Sequence, residues 1–190
     1  STIKGNTVTE IGSNAFQNQT ELTEVVLNDN ILVIKPNAFE NCTNLTTITG
    51  TSNLQSIGTE AFKGCTSLTS INIPAGVTSI GAGAFSGCNN LNITVASSNP
   101  NYSAQGNILY NKTQTEIITT GDISANITIP ETVTKIGEKS FYNNDNLEKL
   151  YFEALPLIED FAFFDCENLA EVYFYSYTTP TLGASAFAYD

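Results

Sequence analysis

The sequence predicts a solenoid, a stack of short strand-and-turn coils, and three observations carry that reading. The phrase Ile-Gly-x-x-Ala-Phe, or a close variant, begins at Ile11, Ile34, Ile57, Ile80, Ile136, Ile158 and Leu182, at intervals of 23, 23, 23, 56, 22 and 24 residues. A fixed period of roughly 20 to 50 residues is the mark of a repeat architecture. A leucine then follows the repeat phenylalanine at a constant distance, as Leu22, Leu45, Leu68, Leu91, Leu147 and Leu169. Finally, one such unit cannot bury its own apolar side, whereas stacked copies set each Ile, Leu and Phe against its counterpart at the strand spacing of about 4.8 Å.

The elements of each coil follow in order. The leucine opens a stretch that ends in alternation, with Val25 and Leu27, Ile71 and Ile73, Leu150 and Phe152, and Val172 and Phe174 on one side. Period-two alternation predicts a strand with one buried face. A second apolar pair, Ile31 and Ile34, Leu54 and Ile57, Val77 and Ile80, or Val133 and Ile136, predicts a short extended piece. The Gly-x-x-Ala-Phe bend closes the coil. Alanine leaves room for the ring in a narrow interior, and glycine after the isoleucine allows a positive φ or a close turn.

The interval from Ile80 to Ile136 exceeds one period by 33 residues. Within it, Asn99-Pro100 and Gly106 mark turns. The runs Asn107-Ile108-Leu109-Tyr110 and Glu116-Ile117-Ile118-Thr119 flank a polar loop, which predicts a β-hairpin. The chain therefore reads as a single domain over 1–190 with an irregular hairpin-containing insertion at about 96–126. That insertion is either a variant structural coil or a recognition loop bearing Tyr110, Asn111 and Lys112.

Composition narrows the function. Seven basic residues, all lysine, face nineteen acidic ones for a net charge of −12, which leaves phosphate binding and hence nucleic acid without electrostatic footing. No apolar run approaches the roughly 20 residues that span a bilayer. Histidine is absent, which removes Ser-His-Asp and Cys-His catalysis and imidazole metal sites. Cys42, Cys65, Cys88 and Cys166 occupy equivalent places in their coils and read as buried thiols ahead of disulfide or metal use. Glu159, Asp160, Asp165 and Glu167 crowd one bend, but their spacing does not set two acids across a cleft as glycoside hydrolysis needs. Asn-x-Thr triplets such as Asn111-Lys112-Thr113 are expected by accident in so Asn- and Thr-rich a chain.

The phrases Ala84-Phe85-Ser86-Gly87-Cys88-Asn89-Asn90-Leu91, Cys65-Thr66-Ser67-Leu68-Thr69-Ser70-Ile71-Asn72-Ile73-Pro74 and Ile129-Pro130-Glu131-Thr132-Val133-Thr134-Lys135-Ile136-Gly137 closely resemble the BspA-like leucine-rich repeat family, from about Val8 to Phe187. The resemblance implies the α/β class: a β-dominated leucine-rich repeat solenoid, a right-handed horseshoe with a parallel concave sheet, short turns or helical bends, and one hairpin-like insertion. It also implies export to a bacterial cell surface or the medium, where some members adhere to host matrix proteins or other cells. Nothing in the resemblance calls for a cofactor.

The residue between the two inward positions of each strand points outward, onto the predicted concave surface. Along the stack this place is held by Val26, Thr49, Asn72, Thr94, Thr128, Tyr151 and Tyr173, with Tyr175 two residues on. Tyrosine offers a large contact area, a hydroxyl and little entropy to lose. Tyr151, Tyr173 and Tyr175, with Lys149 and Glu171 beside them, are the candidate contact surface for a protein, either a host extracellular or another cell-surface protein, or for a glycan. The bland reading is that these tyrosines merely suit a sheet. The expected function is a noncatalytic binding module, with a structural spacer displaying another domain as the alternative. The sequence carries no recognisable polar caps, which reads as an excerpt of a longer chain or as ends that associate.

Overall fold

Each coil supplies two strands, because alternating apolar residues and the paired Ile positions lie on either side of a turn, and the two strands join different sheets. The computed structural model describes residues 2–3, 6–176 and 179–189. The longer strands form what we call the front: Glu24–Val26, Thr47–Thr49, Ser70–Ile73, Asn92–Val95, Asn126–Ile129, Lys149–Phe152 and Glu171–Phe174. They pair in parallel as Glu24–Val26 with Thr47–Thr49, Ser70–Ile73 with Asn92–Val95, and Asn126–Ile129 with Lys149–Phe152 and then Glu171–Phe174. The side sheets are built from the short Ile-bearing strands, and their register sets Ile11, Ile34, Ile57 and Ile80 in one row and Ile117, Ile136, Ile158 and Leu182 in another.

Like therefore meets like along the stack. The rings of Phe16, Phe39, Phe62 and Phe85 follow one another at 5.2, 5.3 and 5.5 Å, nearly coplanar in orientation. Phe141, Phe163 and Phe187 repeat the column at 4.6 and 4.8 Å. Phe39, Phe62, Phe85 and Phe141 are fully buried, each side chain contributing about 2 to 3 kcal/mol by removal from water.

The bends overturn the expected α/β horseshoe. All regular structure among the described residues is strand, and the Gly-x-x-Ala-Phe segments are runs of turns with no helix. Their N–H groups alternate between two destinations. Ala61, Lys63 and Cys65 donate back within the coil to Gly58, Glu60 and Phe62, whereas Glu60, Phe62 and Gly64 donate to Ala82, Ala84 and Ser86 of the next coil. With half of its donors directed out of the coil, the bend cannot form the i→i−4 ladder of an α-helix. The backbone also turns left-handed twice per bend, at Asn14 and Asn18, Asn37 and Asn41, Glu60 and Gly64, Gly83 and Gly87, Lys139 and Asn143, and Phe161 and Asp165. That conformation recurring every fourth residue is incompatible with a right-handed helix. The fold is a mostly parallel β-solenoid of about seven turns. The glycine after isoleucine serves close approach rather than a positive φ: a Cβ on Gly58 would collide with the backbone of Pro36 in the preceding coil.

The insertion contains the expected hairpin, Ile108–Asn111 against Glu116–Thr120, and a further antiparallel strand, Tyr102–Gln105, where only turns were read. Buried Asn99 fixes its start, donating to the carbonyls of Pro74 and Val77 and accepting from the N–H groups of Asn101 and Tyr102. Successive side chains of the middle strand face opposite ways, as strand geometry requires. Leu109 accordingly packs into the core of the first four coils, and Ile108 and Tyr110 into the core of the last three. The front is consequently interrupted: Asn92–Val95 and Asn126–Ile129 are not paired with each other. On the bend side the stack closes over the insertion, with Gly87 N–H donating to Tyr142 O at 3.2 Å and Ser86 Oγ to Lys139 O at 3.1 Å.

Candidate functional site

Parallel, in-register pairing sets Tyr151 directly opposite Tyr173 and Lys149 directly opposite Glu171. The two tyrosine rings stack at 4.9 Å with an angle of 3° between planes, and the Tyr175 ring lies 6.4 Å from that of Tyr151. Tyr173 is 41% and Tyr175 68% exposed, so ring surface faces solvent at the end of the front. The Lys149 ammonium lies 2.7 Å from Glu171 Oε1, and the Tyr173 hydroxyl donates to the other oxygen of the same carboxylate.

These contacts set the charge states. The hydrogen bond from Lys149, followed by that from Tyr173, holds the Glu171 carboxyl below its ordinary value. The same carboxylate pushes Tyr173 and Lys149 up. The Lys149–Glu171 pair thus stays charged and the Tyr173 hydroxyl neutral through the neutral range, with the aromatic faces left toward solvent. All five predicted surface residues come together here. What the arrangement can do is hold an apolar or planar group against a tyrosine face.

The insertion residues are placed differently. Tyr110 is only 7% exposed and belongs to the core. The Asn111 side-chain Oδ1 accepts from the N–H groups of Thr115 and Glu116, and its Nδ2 donates to Thr115 Oγ1, closing the hairpin turn. Lys112 alone of the three is well exposed.

Each of the four cysteine thiols is buried and free, and each donates to the carbonyl of the repeat phenylalanine in the preceding coil: Cys42 to Phe16, Cys65 to Phe39, Cys88 to Phe62 and Cys166 to Phe141, at 3.0 to 3.1 Å. Burial pushes Cys42 up to about 11 and Cys166 up to about 12, while Cys88 and burial push Cys65 up strongly. Two acids of the crowded bend, Glu159 and Asp160, have partners of their own. Glu159 pairs with Lys135 at 3.0 Å and accepts from the Glu138 N–H, and Asp160 accepts from the Ala184 N–H at 2.7 Å. Among the described residues no group of His, Cys, Asp and Glu is placed to hold a metal ion, and no helix is long and apolar enough to cross a membrane.

The sequence reading passed over the open strand edges beside the insertion. The available signal was the surplus length itself, since an insertion that displaces a front strand must leave two edges behind.

The BspA type leucine rich repeat region matches residues 2–116 and 119–190, in six copies. No curated protein matches the chain. Among solved structures the chain is similar to a leucine-rich repeat protein from Eubacterium ventriosum, at 24% identity and TM-score 0.63, over 91% of this chain and 60% of that one. It is similar also to the pneumococcal vaccine antigen PcpA, at 19% identity and TM-score 0.59, over 88% of this chain and 56% of that one. A leucine-rich repeat protein of T. pallidum matches at 24% identity and TM-score 0.53, over 95% of this chain and 69% of that one. The chain thus spans less than two thirds of the first two structures, and at these identities the likeness is one of fold. With stacked Ile, Leu and Phe columns and a matching repeat over nearly its whole length, the chain belongs to the BspA-type leucine-rich repeat family.

Proposed function

We propose that this chain is a noncatalytic binding module of a bacterial cell-surface or secreted protein, and that it holds a partner protein against the tyrosine patch of its front, in an adhesion-type interaction. The observation that carries the reading is the parallel stack of Tyr151 and Tyr173 with Tyr175 beside it, aromatic surface left facing water where the front's other outward positions are mostly small and polar. Uncommitted tyrosine rings with low rotamer entropy are what interface anchors are made of. The Lys149–Glu171 pair stiffens the patch, because Glu171 also receives the Tyr173 hydroxyl. The vaccine use of a structural neighbour supports a place accessible to the host for such proteins.

The experiment is capture from a panel of host extracellular proteins, beside a glycan array, with the purified chain and with a Tyr151→Ala plus Tyr173→Ala variant. Protein capture that falls at least tenfold in the variant, with thermal unfolding nearly unchanged, is the expected result. Capture that ignores the substitutions rejects the patch. Retention of glycans alone replaces the protein partner with a carbohydrate, and no retained ligand at all returns the chain to a spacer.

A further inference from the structure

The interruption of the front leaves a groove of about 410 Å³ between the insertion and the Asn126–Ile129 strand, lined in part by Ile108, Tyr110, Ile127, Thr128, Pro130 and Glu153. Along a strand, successive residues direct their N–H and C=O to opposite neighbours. Ala125 O accepts from Glu148 and Lys149, and Ile129 O accepts from Glu153, so the odd-numbered residues face Lys149–Phe152. The N–H and C=O groups of Asn126 and Thr128 therefore face the groove, and no strand pairs with them there. Where front strands pair, such groups are bound by the preceding coil, as Thr49 O is by Leu27 N–H.

Three further features describe what would fit. Ile127 is only half-buried, whereas its counterparts Ile48, Ile71, Ile93 and Leu150 are buried, so an apolar cover is missing along this edge. Tyr110 lines the groove, and its hydroxyl has no hydrogen-bond partner among the described residues. Glu153 is the single charged side chain on the groove wall, its Oε2 steadied by the Glu131 N–H at 3.3 Å. The opposite edge, Asn92–Val95, is partly closed already, because Asn107 Oδ1 accepts the Ile93 N–H.

We propose that this groove binds an extended, basic peptide segment by strand addition to Asn126–Ile129. Its backbone would pair with Asn126 and Thr128, one apolar side chain would cover Ile127, and a lysine or arginine would reach Glu153. About four residues fill the edge, at roughly 3.3 Å each. The chain's charge of −12 favours the same ligand sign. The site adjoins the tyrosine patch, Thr128 lying opposite Tyr151, but its open backbone edge faces the other way and does not use the tyrosine rings.

The test uses the whole chain, a fluorescein-labelled Thr-Val-Lys-Val-Thr peptide, its alternately N-methylated analogue, its Lys-to-Glu analogue, and maltotriose and chitotriose as saccharide probes. Anisotropy reads affinity and amide hydrogen exchange reads the edge. Expected are binding of the unmodified peptide, slowing of Asn126 and Thr128 amide exchange at least tenfold, and loss of binding on N-methylation. Glu153→Gln weakens binding roughly twofold to fivefold, the range of one exposed ion pair. Thr128→Pro removes a donor that no internal ladder uses and weakens binding roughly fivefold or more, and Tyr110→Phe provides a variant with its packing intact. Absence of peptide binding, binding indifferent to N-methylation, or saccharide protection of Asn126 and Thr128 with the peptide silent would each overturn the proposal. Tyr173→Ala, two strands away from the open edge, leaves peptide affinity unchanged while it weakens capture at the tyrosine patch, so failure here and failure of the tyrosine patch are distinguishable.

Discussion

The ammonium of Lys139 lies 2.8 Å from the carboxylate of Glu60, although the coil carrying Gly83 stands between them in the stack. The lysine stem passes over that glycine: a Cβ at Gly83 would come within 3.2 and 3.3 Å of Lys139 Cδ and Cβ, and Gly83 sits at a φ of 62°. Gly83→Ala adds both a left-handed backbone cost and a crowded stem, and is expected to destabilise by about 1 to 2 kcal/mol. Chemical denaturation of the two proteins measures it.

The same pair sets an acid limit. Burial pushes Glu60 up, but the hydrogen bond from Lys139 and the charges of Lys63 and Lys139 outweigh it and hold the carboxyl below its ordinary 4.5. A carboxyl lowered in the folded state stabilises above its unfolded value and gives up that contribution as pH falls through the folded one. Stability should therefore decline below pH 4.5, and Glu60→Gln should flatten that part of the decline while lowering stability at pH 7. Thermal unfolding from pH 7 to 3 checks both.

Equivalent phenylalanines should differ by position. Phe62 is fully buried between two rings, and Phe62→Ala is expected to cost about 3 to 5 kcal/mol through lost transfer and a cavity. Phe16, 40% exposed with one ring neighbour, should cost roughly 1 to 2 kcal/mol for the same change. Urea midpoints compared at constant slope separate the two.

The thiols should be silent in the native state. With burial and raised pKa values at Cys42, Cys65 and Cys166, reaction with a disulfide reagent at pH 8 should proceed at the rate of unfolding. A fast-reacting cysteine before unfolding contradicts the packing described.

Phe161 holds a φ of 56° where other coils place Asn14, Asn37 and Gly83. For a bulky side chain that conformation costs roughly 1 kcal/mol, set against its edge contact with Phe164 and its place under Lys139. Phe161→Asn should leave stability unchanged or raise it by up to about 1 kcal/mol, readable as a thermal shift.

The period and the inward positions were legible because Ile, Leu and Phe recur at fixed offsets, and the in-register tyrosines followed from that period. The turns in place of helical bends were harder to read. Asn18, Asn41, Gly64 and Gly87 do signal left-handed backbone, but the companion position also holds Glu60, Lys139 and Phe161, whose types signal nothing of the kind. The insertion's role was hidden for a different reason: a hairpin pattern specifies two strands, not which two bodies Leu109 and Tyr110 will separate. The Lys139–Glu60 contact depends on bends meeting across the excluded insertion, a distance no local pattern encodes.

The strand that carries Leu109 toward one core and Tyr110 toward the other gives the molecule a seam. Tension drawn along the solenoid axis would find a continuous side-sheet ladder on either flank and no parallel strand pairing across the middle, so mechanical rupture should begin there and release two blocks in succession.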